Sequence, residues 1–315
     1  MKVTALAGGV GGAKLIKGLS NILPPDDLTV IVNTADDFWF HGLYVSPDVD
    51  TVIYNLAGIN NPEQGWGRDE ESFTFITEFA TLGEDPWFQI GDRDIATHIL
   101  RTDFLHQSKS LTAITKTLCE RRGIQVTVLP MCDQPVRTIV KTLEFGELAF
   151  QEYFVKHRFE PKLQSIRFEG IENTNMTVEA MTRIAQSDLV IICPSNPYVS
   201  IAPILSVNGM IELIKQKAVV AVSPIIGGKA VKGPAAKMFS ELGLNPSSSS
   251  IASYYQEIIA GLVIDSQDQE EKAEIERCGI ILLVTDTLMS NESKKIRLAQ
   301  EVIDFGKEVI QAKQV

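Results

Sequence analysis

Long apolar runs, paired cysteines and an excess of basic residues are all missing from this sequence of 315 residues. No stretch of about 18 uninterrupted apolar residues occurs, so we expect no membrane span. The N-terminal segment "MKVTALAGGVGGAKLIKGL" has the apolar character of a signal sequence. Four glycines between Gly8 and Gly12 and the charge of Lys14 interrupt it, and we therefore interpret this segment as part of the fold.

The balance of charge is acidic. With 29 Lys and Arg against 40 Asp and Glu, the formal net charge is -11, which argues against a broad nucleic-acid interface. A local basic pocket for one small anion is still compatible with this charge. The cysteines form no CxxC pair and the histidines do not cluster with them: Cys119, Cys132, Cys193 and Cys278; His41, His98, His106 and His157. We expect free thiols in a reducing cytoplasm and no structural zinc site.

Apolar segments alternate with helical patterns towards both ends of the chain. Short apolar runs followed by small residues predict buried strands at 3–7, 28–32, 189–193, 218–222 and 280–284. Apolar residues at helical spacing predict helices at 13–23, 201–216, 252–262, 268–278 and 288–312. This order predicts an α/β fold of the Rossmann-like, doubly wound type, with a mainly parallel sheet and right-handed crossovers.

Residues 61–180 follow a different pattern, in which helical segments are combined with alternating segments such as "IQVTVLP", "TIVKT" and "KLQSIRFEG". We therefore predict one domain, 1–315, whose core spans about 1–60 and 180–315 and whose inserted helical and antiparallel substructure spans about 61–180. Ligands of open α/β sheets bind outside the carboxyl ends of the strands. The site is accordingly expected in the loops "AGGVGGAK", "NTADD", "CPSNP", "SPIIGGK" and "TDT".

The first glycine-rich loop, "GGVGGAK" (8–14), lies between a predicted strand and a predicted helix. Its bare N–H groups favour binding of an anion or substrate backbone at the helix N-terminus, which would involve Gly9, Gly11, Gly12 and Lys14. The third glycine of a dinucleotide fingerprint is absent, and so is the spacing of a Walker A loop. Tight packing between strand and helix is the alternative explanation of these glycines.

A second glycine-rich loop, "SPIIGGKAVKGPAAK" (223–237), follows another predicted strand. Its glycines and its local positive charge predict a phosphate cradle in an acidic protein. Ordinary solvated lysines are the alternative. The cradle would be formed by Gly227, Gly228, Lys229, Lys232 and Lys237.

Polar residues also stand at the end of the predicted strand 189–193, in "CPSNPYVSIAPIL". Ser195, Asn196 and Ser200 can read a purine edge or a ribose there. Equally well, they can cap the helix that follows.

The motif "IGDRDIATHILR" places Asp92, Arg93 and Asp94 at the start of a predicted helix, with His98 one turn after Asp94. Acidic residues favour the first helical turn for electrostatic reasons alone. The alternative is that Arg93 is a fixed donor for an anion or a heterocycle.

The stretch "NTADDFWFHGLYVSPDVDT" (33–51) combines four carboxylates with aromatic residues and a histidine: Asp36, Asp37, Asp48 and Asp50; Phe38, Trp39, Phe40 and His41. Asp48 and Asp50 alternate around Val49, so in an extended segment both would point to one face. Two carboxylates on one face suit Mg2+, which also takes waters and substrate phosphates. The neighbouring aromatic rings suit a flat, partly apolar substrate.

Taken together, these blocks resemble the 2-phospho-L-lactate transferases of deazaflavin coenzyme F-420 biosynthesis. The resemblance covers essentially the whole chain, in the family's order and spacing. It extends from "LAGGVGGAK" through "VNTADDFWFHGLYVSPDVDTVIY", "GWG", "GDRDIATHILR" and "LPMCDQPVRT" to "CPSNPYVSI" and "SPIIGGKAVKGPAAKM". The combination of "PDVDT" with "GDRD" is the most specific part.

The resemblance implies a transferase that acts on a guanosine diphosphate ester of lactate, or of enolpyruvate in bacterial members. The phosphoacyl unit would move to the ribityl hydroxyl of the 5-deazaflavin Fo, and GMP would leave. Mg2+ as the cofactor, a Rossmann-like core with an added substructure and a cytoplasmic homodimer are also implied. The residues "AK" at 13–14 and the segment "DDFWFHG" favour the enolpyruvyl donor.

The same resemblance assigns roles to individual residues. Asp50 would be catalytic and contact the Fo ribityl chain or the metal, and Asp48 would support the same Mg2+. Fo would also be bound by Arg93, Asn33, Asp36, Asp37, Trp39 and His41. The guanosine diphosphate half would be held by Ser195, Asn196, Gly227, Gly228 and Lys229.

Two other functions fit parts of the sequence. Sugar-nucleotide-binding regulators of the gluconeogenesis-factor type share the glycine-rich start and an Ala-Asp-Asp after the second strand, but continue with glycines and serines in place of "FWFHGLYVSPDVDT". An NAD-dependent oxidoreductase would explain the first glycine-rich turn and an acid at Asp36. The missing third glycine and the second glycine-lysine loop count against it.

Overall fold

The central sheet consists of strands whose residues are apolar on both faces. In the computed structural model, which describes residues 1–230 and 235–313, the strands are β1 Val3–Ala7, β2 Leu28–Val32, β3 Phe38–Phe40, β4 Leu43–Val45, β5 Thr127–Pro130, β6 Arg137–Thr142, β7 Gly146–Ala149, β8 Leu163–Glu169, β9 Leu189–Ile192, β10 Ala218–Val222, β11 Ile225–Ile226, β12 Lys229–Ala230, β13 Gly261–Asp265 and β14 Ile281–Thr285. Seven of them form a parallel sheet in the order β14-β13-β10-β9-β1-β2-β5.

Helices cover both faces of this sheet. They are α1 Gly9–Ile22, α2 Pro47–Ala57, α3 Thr74–Thr81, α4 Asp92–His106, α5 Leu111–Arg121, α6 Val178–Gln186, α7 Ala202–Ser206, α8 Met210–Ile214, α9 Ala235–Glu241, α10 Ser248–Tyr255, α11 Lys272–Glu276 and α12 Glu292–Lys313. Successive strand residues enter different apolar clusters: Leu6 belongs to one, Ala5 and Ala7 to the other. The predicted α/β class, with its parallel doubly wound sheet, is confirmed.

The strand order reverses at β1, and a ligand site is expected at this reversal. From β1 the chain continues outward through β2 and β5 on one side, and later through β9, β10, β13 and β14 on the other. Leu6 pairs with Ile192 and Ala7 with Val32, so the carboxyl ends of β1, β2 and β9 lie side by side. A crevice at this switch point is the usual ligand site of such sheets.

Two predicted elements are wrong in position or type. The helix predicted at 252–262 ends at Tyr255, and Gly261–Asp265 is strand β13. A Cβ on Gly261 would lie 2.8 Å from Val309 and 2.9 Å from Phe305, so glycine lets this strand pack closely under α12. The helix predicted at 201–216 is split into α7 and α8, because Gly209 adopts a φ of +80° between them.

The predicted insertion is only partly separate from the core. The antiparallel substructure is present as the sheet β7-β6-β8. Strand β5, in contrast, lies within 61–180 and joins the main sheet, with Val128 paired to Val30. The segment "IQVTVLP" therefore supplies an edge strand of the core, which its short alternating pattern did not reveal.

Two further helices differ in extent from the predictions. The first begins at Gly9, inside the predicted glycine loop, and the helix predicted at 268–278 is reduced to Lys272–Glu276 after a 3-10 turn. In the described parts of the chain, no helix is both long enough and apolar enough to cross a membrane.

Candidate functional site

The glycines after β1 allow α1 and the loop after β9 to approach closely. A Cβ on Gly11 would lie 2.2 Å from the carbonyl oxygen of Pro194, and one on Gly12 would lie 2.8 Å from Ser195 Oγ. The Gly8 N–H donates to Ser195 Oγ over 3.2 Å. Packing alone therefore explains Gly11 and Gly12, while Ser195 is brought to the start of α1.

The N-terminus of α1 faces a carboxylate of the protein itself. Gly9, with a φ of +66°, donates its backbone N–H to Asp48. A Cβ on Gly8 would lie 2.5 Å from Asp48 Oδ2 and 2.7 Å from Ser200 Cβ. The anion position predicted at this helix end thus lies directly beside Asp48, whereas Lys14 is half-buried further along α1.

Asn33 connects the loops around this crevice. It is fully buried after β2, where its Nδ2 donates to Asp48 Oδ2 over 3.0 Å and to the Val199 carbonyl over 3.2 Å. Its Oδ1 accepts from the Ala35 N–H. Asn33 therefore fixes the Asp48 carboxylate relative to β2 and to the segment after β9.

Asp48 and Asp50 do not lie in an extended segment, and the prediction that both point to one face is wrong. They occupy the first turn of α2, which begins with Pro47. Proline favours the first helical position and acids favour the first turn, so this sequence starts a helix. At roughly 100° per residue, side chains two positions apart diverge. Asp48 faces Asn33 and Gly9, and Asp50 faces α4.

Burial and mutual repulsion dominate the electrostatics of the remaining acids. The pKa of Asp36 is raised well above its usual value, first by burial and then by the charge of Asp48. Burial raises the pKa of Asp48 to about 6, against the hydrogen bonds from Asn33 and Gly9. Burial also raises the pKa of Asp37, against the 2.7 Å hydrogen bond from Ser46.

Asp50 is the partner of a buried arginine that the sequence reasoning missed. Arg101 Nη1 donates to Asp50 Oδ2 over 3.0 Å, and Nη2 donates to Oδ1. The same Nη1 lies 3.2 Å from His98 Nδ1. A signal was present in "HILR", since an arginine three residues after a histidine shares its helix face with it.

These residues form one acidic cluster, which we define as Asp36, Asp37, Asp48 and Asp50. All four are buried, and Arg101 is the one buried lysine or arginine in 1–230 and 235–313. Asp36 Oδ1 and Asp37 Oδ1 have no hydrogen-bond partner. The cluster therefore contains more acidic than basic groups in a place where water cannot screen their charges.

No ready-made metal cage is present. In the part of the chain that the structure describes, no three His, Cys, Asp or Glu side chains are arranged to hold a metal ion by themselves. Two carboxylates completed by water and substrate phosphates would still suit Mg2+. The acidic cluster offers such pairs.

Three predicted Fo-binding residues lie outside the acidic cluster. Arg93 is half exposed at the start of α4 and pairs with Glu70 over 3.3 Å. Trp39 lies on the β3–β4 hairpin, 46% exposed, with its ring 5.2 Å from that of Tyr44. His41 is exposed at the turn of the same hairpin. The buried members of the predicted set, Asn33, Asp36, Asp37 and Asp50, are brought together by the fold.

The second glycine-rich loop holds an internal carboxylate. Gly227 and Gly228 have φ values of +58° and +69° and donate their N–H groups to Asp268. Burial nevertheless raises the pKa of Asp268. Lys229 is exposed, Lys237 is paired with Glu241 over 3.0 Å, and Lys232 lies outside the described residues.

Asn196 caps the turn that follows it. Its Oδ1 accepts from the Tyr198 N–H over 2.9 Å, and its Nδ2 lies 3.3 Å from Met238 Sδ. The capping interpretation of Asn196 is therefore the one that the geometry satisfies, whereas Ser195 faces the crevice through its contact with Gly8.

The surface also has a cleft formed by other residues, which are distant in sequence from the acidic cluster. It has a volume of about 540 Å3 and is lined by residues of the antiparallel substructure, among them Phe145, His157 and Arg158. None of the predicted site residues lines it.

Solved structures support the fold. Two crystal structures of a UPF0052-family protein from Bacillus halodurans are similar to this chain, with TM-scores of 0.67 and 0.63 at 14% identity. They cover 96% and 95% of this chain and 98% and 99% of theirs. At this identity the likeness concerns the fold alone.

Sequence relatives carry the assignment to a family. A 2-phospho-L-lactate transferase of Methanococcoides burtonii is 40% identical over 95% of this chain and 97% of its own. A phosphoenolpyruvate transferase of Streptomyces griseus is 39% identical over 98% of this chain and 99% of its own. The profile of the family described as 2-phospho-L-lactate transferase CofD matches residues 3–301. The chain is thus a transferase and belongs to the 2-phospho-L-lactate transferase CofD family.

Proposed function

We propose that the protein transfers a phospholactyl or phosphoenolpyruvyl group from a guanosine diphosphate ester to the ribityl hydroxyl of Fo, in coenzyme F-420 biosynthesis. The observation that carries this proposal is the acidic cluster at the switch point, in which four aspartates are buried and one of them, Asp50, is paired with the buried guanidinium of Arg101. Such a site favours a cation together with a substrate that carries phosphates. Relatives named for transfer of phospholactate and of phosphoenolpyruvate support both donors.

Asp36 and Asp48 fit a magnesium ion best. Asp36 Oδ1 has no hydrogen-bond partner, and the charge of Asp48 adds to the burial that raises the pKa of Asp36. Asp50, the second ligand suggested by the sequence, already has the positive charge of Arg101 as its partner. When bound, Mg2+ would supply positive charge to the diphosphate oxygens of the donor.

The residues of the chain would then bind and orient the two substrates. The start of α1 and Ser195 would approach the diphosphate, and Lys229 would contact the nucleotide. Asp50 would accept a hydrogen bond from the acceptor hydroxyl. The hydroxyl oxygen forms a bond to the phosphorus that carries the lactyl or enolpyruvyl group. The bond from this phosphorus to the bridging oxygen of GMP breaks, GMP leaves with the electron pair, and the proton of the hydroxyl passes to water. Positioning and charge neutralisation suffice for such a transfer.

A cytoplasmic homodimer is part of the same proposal, and rests on the resemblance to the family. Light scattering on the protein as it elutes from a size-exclusion column tests the homodimer directly. A mass of twice the 34.7 kDa chain is expected, and a monomer at micromolar concentration would contradict it.

The decisive experiment is mass spectrometry of the product made from Fo with the lactyl, enolpyruvyl or glyceryl ester of guanosine diphosphate, with Mg2+ or with a chelator. We expect GMP release and one phosphoacylated deazaflavin, with the enolpyruvyl or lactyl donor used best and no product in the chelator. Absence of GMP and of product with all three donors would refute the transferase proposal. Tight binding of a sugar nucleotide without turnover would favour the regulator of the gluconeogenesis-factor type.

A further inference from the structure

Arg101 occupies an unusual position for an arginine. Its side chain is 1% exposed and is the largest among the fully buried side chains that the structure describes. It comes from α4 and contacts Asp50 in the acidic cluster. A buried guanidinium is retained only when its donors are satisfied, and the loss of a partner is strongly unfavourable.

The contact with Asp50 uses the planar shape of the guanidinium. Nη1 donates to Oδ2 and Nη2 to Oδ1, so that both carboxylate oxygens are held in one plane. A carboxylate has about four lone-pair positions, so each oxygen can still accept one more hydrogen bond. Arg101 therefore fixes the orientation of the Asp50 carboxylate and leaves each of its oxygens able to accept a further hydrogen bond.

His98 contacts the guanidinium from one turn earlier on α4. An arginine has no acceptor, so the 3.2 Å contact between Nη1 and His98 Nδ1 requires a lone pair on Nδ1. The neutral ring then carries its proton on Nε2, which lies 3.7 Å from Asp94 Oδ2. Asp94 in turn accepts from the hydroxyl of Tyr54, which comes from α2. Arg101 is thus linked through His98 and Asp94 of α4 to Tyr54 of α2.

We propose that Arg101, oriented by His98, is a positioning residue that keeps Asp50 out of the Asp36–Asp48 pair and presents it to the acceptor hydroxyl. This inference rests on the proposed function. It divides the acidic cluster into two parts. Asp36 and Asp48 form a pair that binds the cation, and Asp50 stands apart and faces the acceptor hydroxyl. Neither Arg101 nor His98 needs to touch a substrate for this division to hold.

The first test is a double-mutant cycle between Arg101→Lys and Asp50→Asn. A lysine keeps the charge but cannot hold both oxygens. We expect kcat/KM for Fo to fall about 10- to 100-fold with Arg101→Lys in the parent, and to change less than about twofold in the Asp50→Asn background. Equal losses in both backgrounds would show a general structural role and overturn the proposal, as would a parent-like Asp50→Asn enzyme.

Arg122→Lys is the matched control for this cycle, because Arg122 reaches Thr97 over 3.3 Å at the Tyr54 end and does not touch Asp50. It should leave kcat/KM within about twofold of the parent. Melting curves of all variants identify any that fail to fold.

His98 offers a second pair of variants that leaves Arg101 and Asp50 intact. Asn at position 98 retains an acceptor near the place of Nδ1, whereas Leu removes it. His98→Asn should keep most of kcat/KM, and His98→Leu should lower it by about tenfold. Similar losses in the two variants, after melting curves show both folded, would mean that the acceptor is not what matters.

A third measurement does not depend on turnover. Mn2+, used as a probe for Mg2+ and followed by electron paramagnetic resonance, should bind the substrate-free Arg101→Lys protein several-fold more tightly than the parent, because one Asp50 oxygen is released towards the pair. Asp50→Asn should remove this gain. Unchanged Mn2+ affinity in Arg101→Lys would refute the division of the cluster, even if the proposed transferase activity were found. Conversely, an inactive parent with the expected Mn2+ behaviour would refute only the proposed function.

Discussion

The two sides of the switch point are built from opposite kinds of groups. On the side of β2 and α2, side chains carry the chemistry: buried carboxylates, one asparagine and one arginine, linked by direct hydrogen bonds. On the side of β9 and β10, backbone N–H groups and hydroxyls prevail, and the charged side chain Lys229 is exposed. The acidic side is preorganised but electrostatically strained. The side of β9 and β10, which we call the donor side, consists mainly of hydrogen-bond donors.

This difference explains why one side would need a cation and the other would not. A buried carboxylate without a counter-charge takes up a proton instead, which is the direction of the pKa shifts of Asp36, Asp37 and Asp48. On the donor side, the N–H groups of Gly227 and Gly228 donate to the Asp268 carboxylate and lower its pKa against the effect of burial. A diphosphate lying across the crevice would meet donors on one side and, through a cation, carboxylates on the other.

The largest effect is expected from removing a charge on the acidic side. Asp48→Asn keeps the shape and one oxygen acceptor but removes an anionic ligand. Turnover should fall by about two to three orders of magnitude, the range seen for loss of one major electrostatic contributor. GMP formation at saturating donor and Fo, with Mg2+ titrated, measures it. Asp26→Asn, at an exposed position, serves as the control. Turnover of Asp48→Asn within about threefold of the parent at low Mg2+ would contradict the proposal that Asp36 and Asp48 bind the cation.

A smaller effect is expected on the donor side. Lys229→Ala would remove the proposed charge-assisted contact to phosphate, and such a contact contributes roughly 1.5–3 kcal/mol. GDP binding measured by calorimetry should weaken by about one to two orders of magnitude, and Fo binding should change little. Lys237→Ala is the matched control, because Lys237 is already paired with Glu241. Equal GDP affinity in the Lys229 variant and the parent would place the phosphate elsewhere.

A third prediction concerns stability without divalent cations. Because burial raises the pKa of Asp48 from 3.8 to about 6, the folded protein binds this proton more tightly than the unfolded chain does. The contribution of Asp48 to the free energy of unfolding is therefore fully present below about pH 4 and is lost as the pH rises through about 6, by an amount on the order of 3 kcal/mol.

Melting curves in chelator at pH 4 and pH 7 test this sign. Asp48→Asn should be stabilised relative to the parent at pH 7 and much less at pH 4, and Mg2+ should reduce the difference at pH 7. An identical pH dependence in the parent and the variant would show that Asp48 is not strained.

The sequence predicts the donor side and the sheet better than the acidic side. Strands such as 28–32 and 218–222 are continuous apolar runs, and these boundaries coincide with β2 and β10. The glycine-rich turns also follow strands β1 and β10 as predicted, because their position follows from local pattern and topology. Strand β13 was missed, since a short apolar run after a helix cannot be distinguished from its continuation.

The pairing inside the acidic cluster depends on contacts that no local pattern contains. Asp50 and Arg101 are 51 residues apart in the chain, and the conformation of "PDVDT" decides which carboxylate faces which partner. An alternating pattern of acids suggested an extended segment, while Pro47 and the apolar spacing of α2 impose a helix. The set of buried acids was therefore predictable, and their division into different roles was not.

The smallest effect is expected at the rim, where the comparison of the two sides can be sharpened by locating Fo. Trp39 and Trp66 are similarly exposed, at 46% and 48%, but Trp39 lies on the hairpin before α2 and Trp66 lines a small cleft with Arg68 and Asp94. If Fo reaches Asp50 beside the hairpin, Trp39→Phe should remove most of the fluorescence quenching on Fo addition. It should weaken Fo binding about two- to fivefold, because the smaller ring of phenylalanine keeps part of a stacking contribution of about 0.5–1.5 kcal/mol. Trp66→Phe should then leave the quenching unchanged. The reverse result would move the deazaflavin to the cleft beside Arg93, and Asp50 would have to reach it through the ribityl chain alone.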